Sequence, residues 1–272
     1  MHFRNIFISL LILSFFIILS LVYSPLAKNG ENASKEMVTI PPGPFIMGSD
    51  ERDGIIGIDV GVDEVPRHLV DLPAFEIDRL EVTNQEYEKF VRSTGHRVPS
   101  EPRFPLYYQW KNGQAPRDQE NYPVSYVDYE DAAAFCAWRG KRLPTEAEWE
   151  KAARGTDGRK WPWGNKFDSK KCNTDDSHLN WTVPAGSLPE GASPYGVMDM
   201  CGNISEWTSS WYKPYPGNDL KRGAFGESFK VVRGGAWSLP AHPFSRTSNR
   251  SYAVEPDKRH RSIGFRCARD AK

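Results

Sequence analysis

The stretch GKRLPTEAEWEKAARG, residues 140–155, decides how the chain is read. Thr145 followed three residues later by Glu148 is a capping box. Its hydroxyl can accept from the Glu148 amide while the carboxylate accepts from the Thr145 amide. Leu143-Pro144 ahead of it does not continue a helix, so one starts at Thr145, and Gly155 ends it. Just upstream, DYEDAAAFCAWRG (128–140) repeats the device with Asp128 and Asp131. It puts Ala132, Phe135 and Cys136 on one face and stops at Gly140. The two helices, joined through Leu143-Pro144, make a corner.

Working outward, Thr83 and Glu86 form another capping box. Tyr87, Phe90 and Val91 then recur at helical spacing, and Gly95 closes that helix. MVTIPPGPFIMGS (37–49) alternates apolar residues with turn formers and predicts an opening hairpin. After residue 155, short strands and long loops are expected, because the chain carries 21 prolines and 22 glycines. Nine Trp, 11 Tyr and 14 Phe can fill a sizeable core. With 272 residues, no internal repeat and no linker after residue 37, the reading is a single compact α+β domain over 37–272.

A formal net charge of zero offers no electrostatic case for nucleic acid or for acidic membranes. The one dense basic cluster, KRHR (258–261), reads as a solvated loop. GTDGRKWPWGN (155–165) lacks the phosphate-loop lysine spacing. No CxxC supports a zinc or thioredoxin-type site.

Residues 6–22, IFISLLILSFFIILSLV, form an uncharged apolar run behind Arg4. The run exceeds a cleaved signal's apolar region and approaches the ~20 residues that span a bilayer. Ala27, with Pro25 at its −3 position, is a poor cleavage site. Residues 1–27 are therefore expected to be a signal anchor or signal peptide, the anchor favoured, with 28–36 a polar tether. The rest is expected outside the cytoplasm, in a periplasmic or other extracytoplasmic setting, with membrane contact through the N-terminal segment only. Four cysteines, an even number, suit an exported chain with up to two disulfides.

Five motifs occur in order: GKRLPTEAEWEKAARG, WPWGN, YGVMDMCGNISEWTSSW, VVRGGAW and GFRCA. Together they resemble the sulfatase-modifying-factor family, the family of the formylglycine-generating enzymes, over residues 37–269. The resemblance implies a compact domain related to the C-type lectin fold, with little regular secondary structure and structural calcium. It also implies a disulfide between Cys136 and Cys267, while the pairing of Cys172 with Cys201 stays open.

The family's oxidases hold copper on two cysteines to act on a sulfatase cysteine. By resemblance those positions are Leu239 and Phe244 here. Copper(I) needs soft thiolate or thioether ligands, and Leu and Phe supply neither, so no copper is expected. DMCGNISEW offers Asp199, the Gly202 and Ile204 carbonyls and Glu206, oxygen ligands that suit calcium and match the family's calcium loop. Asn173 and the Thr174 carbonyl are a weaker second set.

The final stretch, RGGAWSLPAHPFSR (233–246), frames the expected cleft. Gly234 and Gly235 can turn the backbone so that Trp237 and Ser238 line it. Arg246 and Arg250, an RxxxR pair, are candidate clamps for a carboxylate or phosphate. The competing reading is that buried arginines tie loops together, and that Trp237 is core. His242, between two prolines, is a weak catalytic candidate with no visible partner. The function expected is a non-oxidase maturation factor or a peptide- or ligand-binding domain. The alternative is an active formylglycine-generating oxidase acting on a sulfatase cysteine.

Overall fold

A computed structural model describes residues 37–50, 61–100, 110–250 and 252–272. The apolar run 6–22, the tether 28–36 and the expected N-terminal segment lie outside the described residues. Among those described, no helix is long and apolar enough to cross a membrane.

All three expected helices are present. Helix α1 is Asn84–Thr94, α2 is Tyr129–Trp138 and α3 is Glu146–Arg154. Each begins with a reciprocal capping box, from Thr83 and Glu86, Asp128 and Asp131, and Thr145 and Glu148. Gly95 closes α1 at φ 71°, a left-handed conformation that glycine adopts at least cost. Tyr87, Phe90 and Val91 on α1 pack with Ala132, Phe135 and Cys136 on α2, beside Trp207 and Phe265.

The strands form three small sheets. β1 (Met37–Ile40), β4 (Phe75–Asp78) and β9 (Ala268–Asp270) make one, in the order β1-β4-β9. β2 (Gly43–Met47) pairs with β3 (His68–Leu72). β5 (Ser205–Trp211), β6 (Lys230–Arg233), β7 (Tyr252–Val254) and β8 (Ile263–Gly264) make the third, in the order β7-β6-β5-β8. In it, β8 runs parallel to β5. The opening hairpin is corrected: β1 and β2 pair with later strands in different sheets, not with each other. Pro41-Pro42 lie between them and provide no amide donors for a hairpin ladder. The link is held from outside, where the Lys151 ammonium on α3 donates to the carbonyls of Pro41 and Gly43, each at 2.8 Å.

Cys136 on α2 is bonded to Cys267 beside β9, with Cα atoms 5.6 Å apart. The bridge spans a separation of 131 residues. A loop of that size is worth about 5 kcal/mol in the chain-entropy model. It joins the helical corner to the last strand, and both sulfurs lie inside the largest apolar cluster.

Candidate functional site

The site segment leaves β6 at Arg233. Gly234 and Gly235 follow at φ 98° and 71°. A side chain at Gly235 would put Cβ 1.9 Å from the Ser245 hydroxyl and 2.9 Å from the Phe244 carbonyl. Only glycine lets the two arms of this loop meet. The turn is fixed from below by Gly202, whose amide donates to the Gly234 carbonyl at 2.7 Å, and by the Ser205 hydroxyl, which donates to the Gly235 carbonyl at 2.8 Å. The Trp237 amide then donates to the Asn203 carbonyl at 3.1 Å.

Trp237 is therefore held over the 199–206 loop, and most of its surface is buried. Its ring lies 4.8 Å from that of Trp181, and the exposed Arg261 guanidinium sits 5.1 Å from its centroid. Its indole N–H is buried without a hydrogen-bond partner among the described residues. A buried donor left unmade is costly. Sequence reasoning missed Trp181 and assigned Arg261 to a solvated loop. The KRHR cluster was the signal that could have pointed to Arg261.

Leu239 precedes a short helical turn, α4 (Ala241–Phe244), and Phe244 ends it. Both are partly buried. The Leu239 carbonyl accepts from the Asp175 amide at 3.0 Å. Neither side chain carries a donor atom for copper, so these positions do not fit that metal.

His242 stands edge-on to Trp161 at 4.7 Å and faces Phe167 at 5.7 Å. The residue is exposed overall, yet desolvation of its ring pushes its pKa below the usual histidine range, and the Arg246 charge adds to this. No side chain among the described residues hydrogen-bonds its ring, so the group that would orient a general base is missing.

The two arginines expected to clamp a ligand are corrected by the geometry. Arg246 donates to Glu64 at 2.9 Å, and Glu64 is also gripped by Ser248 at 2.7 Å and Asn249 at 2.9 Å. Arg250 binds Glu146 through Nε at 2.8 Å and Nη2 at 3.1 Å, and stacks 4.5 Å from both Tyr212 and Tyr215. Both arginines are buried. They belong to a core network in which Arg233 joins Glu146 to Glu150, and Arg154 joins Glu150 to the Gly48 carbonyl. Their charges neutralise internal carboxylates, which fits the loop-tying alternative. Ser238 lies partly exposed beside Trp237.

Several groups of the expected calcium set already have protein partners. Both oxygens of Glu206 accept from Arg266 at 2.7 Å, and Oε2 also accepts from the Trp149 indole at 2.8 Å. Glu206 is thus fully spent inside the core. The Asn173 carbonyl is taken by the Asn203 amide at 2.6 Å, and the Thr174 carbonyl by Ser177. Among these groups Glu206 is the one whose oxygens are both committed to protein partners.

Asp199 fits an ion. It is held at φ 59°, accepts from the Gly186 amide at 2.6 Å and faces the Glu81 carboxyl, whose Oε1 accepts from the Asn203 side-chain amide at 2.9 Å. Both carboxyls are buried, and Glu81 Oε2 has no partner. Burial, then the facing Asp199, pushes the Glu81 carboxyl well up; burial raises Asp199 as well. Two desolvated carboxyls with one orphaned oxygen are a donor set for a hard cation, to be completed by carbonyls and water. No three His, Cys, Asp or Glu side chains among the described residues gather as a metal cage. Glu81 carried no sequence signal, being separated from the loop by more than a hundred residues.

Residues 23–271 match the family model of the sulfatase-modifying factor enzyme 1-like domain. The match begins directly after the apolar run. The chain is 31% identical to the inactive C-alpha-formylglycine-generating enzyme 2 of Mus musculus, over 94% of this chain and 92% of that protein. It is 30% identical to the formylglycine-generating enzyme of Mus musculus, over 88% and 76% of the two chains. The solved structure of PvdO from Pseudomonas aeruginosa superposes with a TM-score of 0.67 at 30% identity, over 86% of this chain and 94% of that one. The chain belongs to the sulfatase-modifying factor enzyme 1-like family.

Proposed function

We propose that this chain is an exported, non-oxidase member of its family that binds a peptide or small anionic ligand on the face made by Trp181, Trp237, Ser238 and Arg261. The observation that carries the reading is chemical. Leu239 and Phe244 stand where the oxidases' copper thiolates are expected, and an aliphatic and an aromatic side chain cannot replace them. Relatives of comparable similarity include a protein named as inactive and one named as the generating enzyme, so overall similarity does not choose between them.

The ligand reading rests on the unpaired Trp237 indole N–H beside the exposed Arg261 cation. An acceptor bearing negative charge, such as a carboxylate, satisfies both. The two indoles offer apolar area for an adjoining side chain. Export is supported by the apolar run 6–22. Calcium belongs to the reading as a structural ion on Asp199 and Glu81, with the Gly202 and Ile204 carbonyls that the family loop implies; no copper is part of it.

Co-expression with a sulfatase carrying a CxPxR segment tests the reading. Mass spectrometry of that segment is expected to show an unmodified cysteine. Conversion of the cysteine to formylglycine would establish the oxidase instead.

A further inference from the structure

Cys172 and Cys201 take no part in the ligand-binding reading. Both are buried, and they share an apolar cluster with Trp161 and Ala241. Their placement is set by backbone pairing. Asn173 and Gly202 form a parallel β-bridge, and the cysteines are the residues immediately before each. In a parallel pair the preceding residues are also in register, so the cysteines lie side by side. Cys172 has extended dihedrals, as the pairing requires.

The approach is unusually close. The Asn203 amide donates to the Asn173 carbonyl at 2.6 Å, and a Cβ on Gly202 would come within 2.1 Å of that oxygen. Neighbouring strands lie about 4.8 Å apart, inside the roughly 4.4–6.8 Å Cα separation that a disulfide spans. The two cysteines are not bonded to each other in this structure, but they are neighbours in one buried cluster.

We propose that Cys172 and Cys201 form a second disulfide in the exported protein and that this bond clamps the floor under the Trp237–His242 segment. The loop after Cys172 already carries that floor. The Asp175 amide donates to the Leu239 carbonyl at 3.0 Å, and the Asp176 carboxylate accepts from the Ala241 amide at 2.7 Å. A covalent tie at Cys172 fixes both supports to the 199–206 loop, on which Trp237 rests.

The oxidant is a disulfide, either a small dithio compound or an exchange protein. One cysteine, as thiolate, attacks it, forming a mixed disulfide and releasing one thiol. The second cysteine then attacks the mixed disulfide and releases the other. Two protons and two electrons leave the pair, one S–S bond forms in the protein, and one S–S bond is cleaved in the oxidant. Because both sulfurs are buried in the finished fold, the exchange takes place before the loops pack.

The full chain is folded in a mixture of oxidised and reduced glutathione, alkylated under denaturing, non-reducing conditions and digested. The expected result is one peptide pair linking Cys172 to Cys201 and another linking Cys136 to Cys267, with no alkylation at any of the four. The variant Cys136→Ser/Cys267→Ser leaves only the proposed pair and should show the same 172–201 link. If that variant does not fold, the wild-type map decides by itself. Cys172→Ser/Cys201→Ser is expected to fold and to melt roughly 5–10 °C lower than the oxidised wild type. Alkylated Cys172 and Cys201 in folded wild-type protein, or links from either of them to Cys136 or Cys267, would overturn the proposal.

Discussion

Arg250 holds Glu146 through two hydrogen bonds, at 2.8 and 3.1 Å, and neither side chain reaches solvent appreciably. The same carboxylate also accepts from Arg233 at 3.0 Å and from the Tyr215 hydroxyl at 3.1 Å. Taking Arg250 away breaks a buried ion pair: the Glu146 carboxylate loses two charge-assisted hydrogen bonds and is left to Arg233 and Tyr215. Arg250→Gln is therefore expected to destabilise the domain by about 3–5 kcal/mol, read from urea unfolding. A loss below ~1 kcal/mol would return Arg250 to the list of ligand contacts.

This distinction marks where the sequence was legible. The helices could be read because each capping box and its apolar stripe are local: Thr145 and Glu148 sit three residues apart and solve their own hydrogen-bonding problem. The glycine turn at 234–235 was readable for the same reason. The partners of Arg246 and Arg250 were not. Glu64 lies 182 positions from Arg246, a distance no periodicity spans. The same holds for Glu81, which meets Asp199 only once β4 and the 199–206 loop have packed. The pairing of β1 and β2 with later strands was equally non-local.

Glu86 allows a test by pH. It serves the α1 capping box, accepting from the Thr83 amide at 3.2 Å, with Arg139 at 3.5 Å. Desolvation raises its carboxyl above the ordinary range. The folded chain thus holds this proton more tightly than the unfolded chain does. Its contribution to stability falls as pH rises from about 4.3 through the raised folded value. Glu86→Gln keeps a side-chain acceptor for the cap and cannot titrate. Relative to wild type, the variant is expected to gain stability between pH 4 and pH 7 in urea titrations. A relative loss over that interval would mean that the charged cap and Arg139 outweigh desolvation.

Calcium gives a further check, because the ligand set proposed here differs from the one the loop suggests. Glu206 is committed to Arg266, and Glu81 supplies the free oxygen. Millimolar calcium is expected to raise the melting temperature by a few degrees, as for any ligand that binds only the folded state. Glu81→Gln is expected to remove most of that rise while remaining folded. If the rise persists in Glu81→Gln, or calcium has no effect on the wild type, Asp199 and Glu81 do not hold the ion.

The ligand face stands on two residues that touch the solvent boundary differently. Arg261 is exposed, has no carboxylate partner among the described residues and lies over Trp237. Trp237 is buried and brings an unmade N–H. A glutamate-rich pentapeptide, titrated against the purified chain and followed by tryptophan fluorescence, probes both. Arg261→Ala should weaken its binding about tenfold, and the wild-type affinity should fall with added salt, since the cation is exposed. Trp237→Phe keeps an aromatic face and loses the donor. A hydrogen bond to a charged acceptor is worth about 1.5–3 kcal/mol, so roughly ten- to hundredfold weaker binding is expected. Arg261→Ala should leave unfolding free energy within about 0.5 kcal/mol, as for a surface change. Unchanged peptide affinity in both variants would remove this face from the binding role.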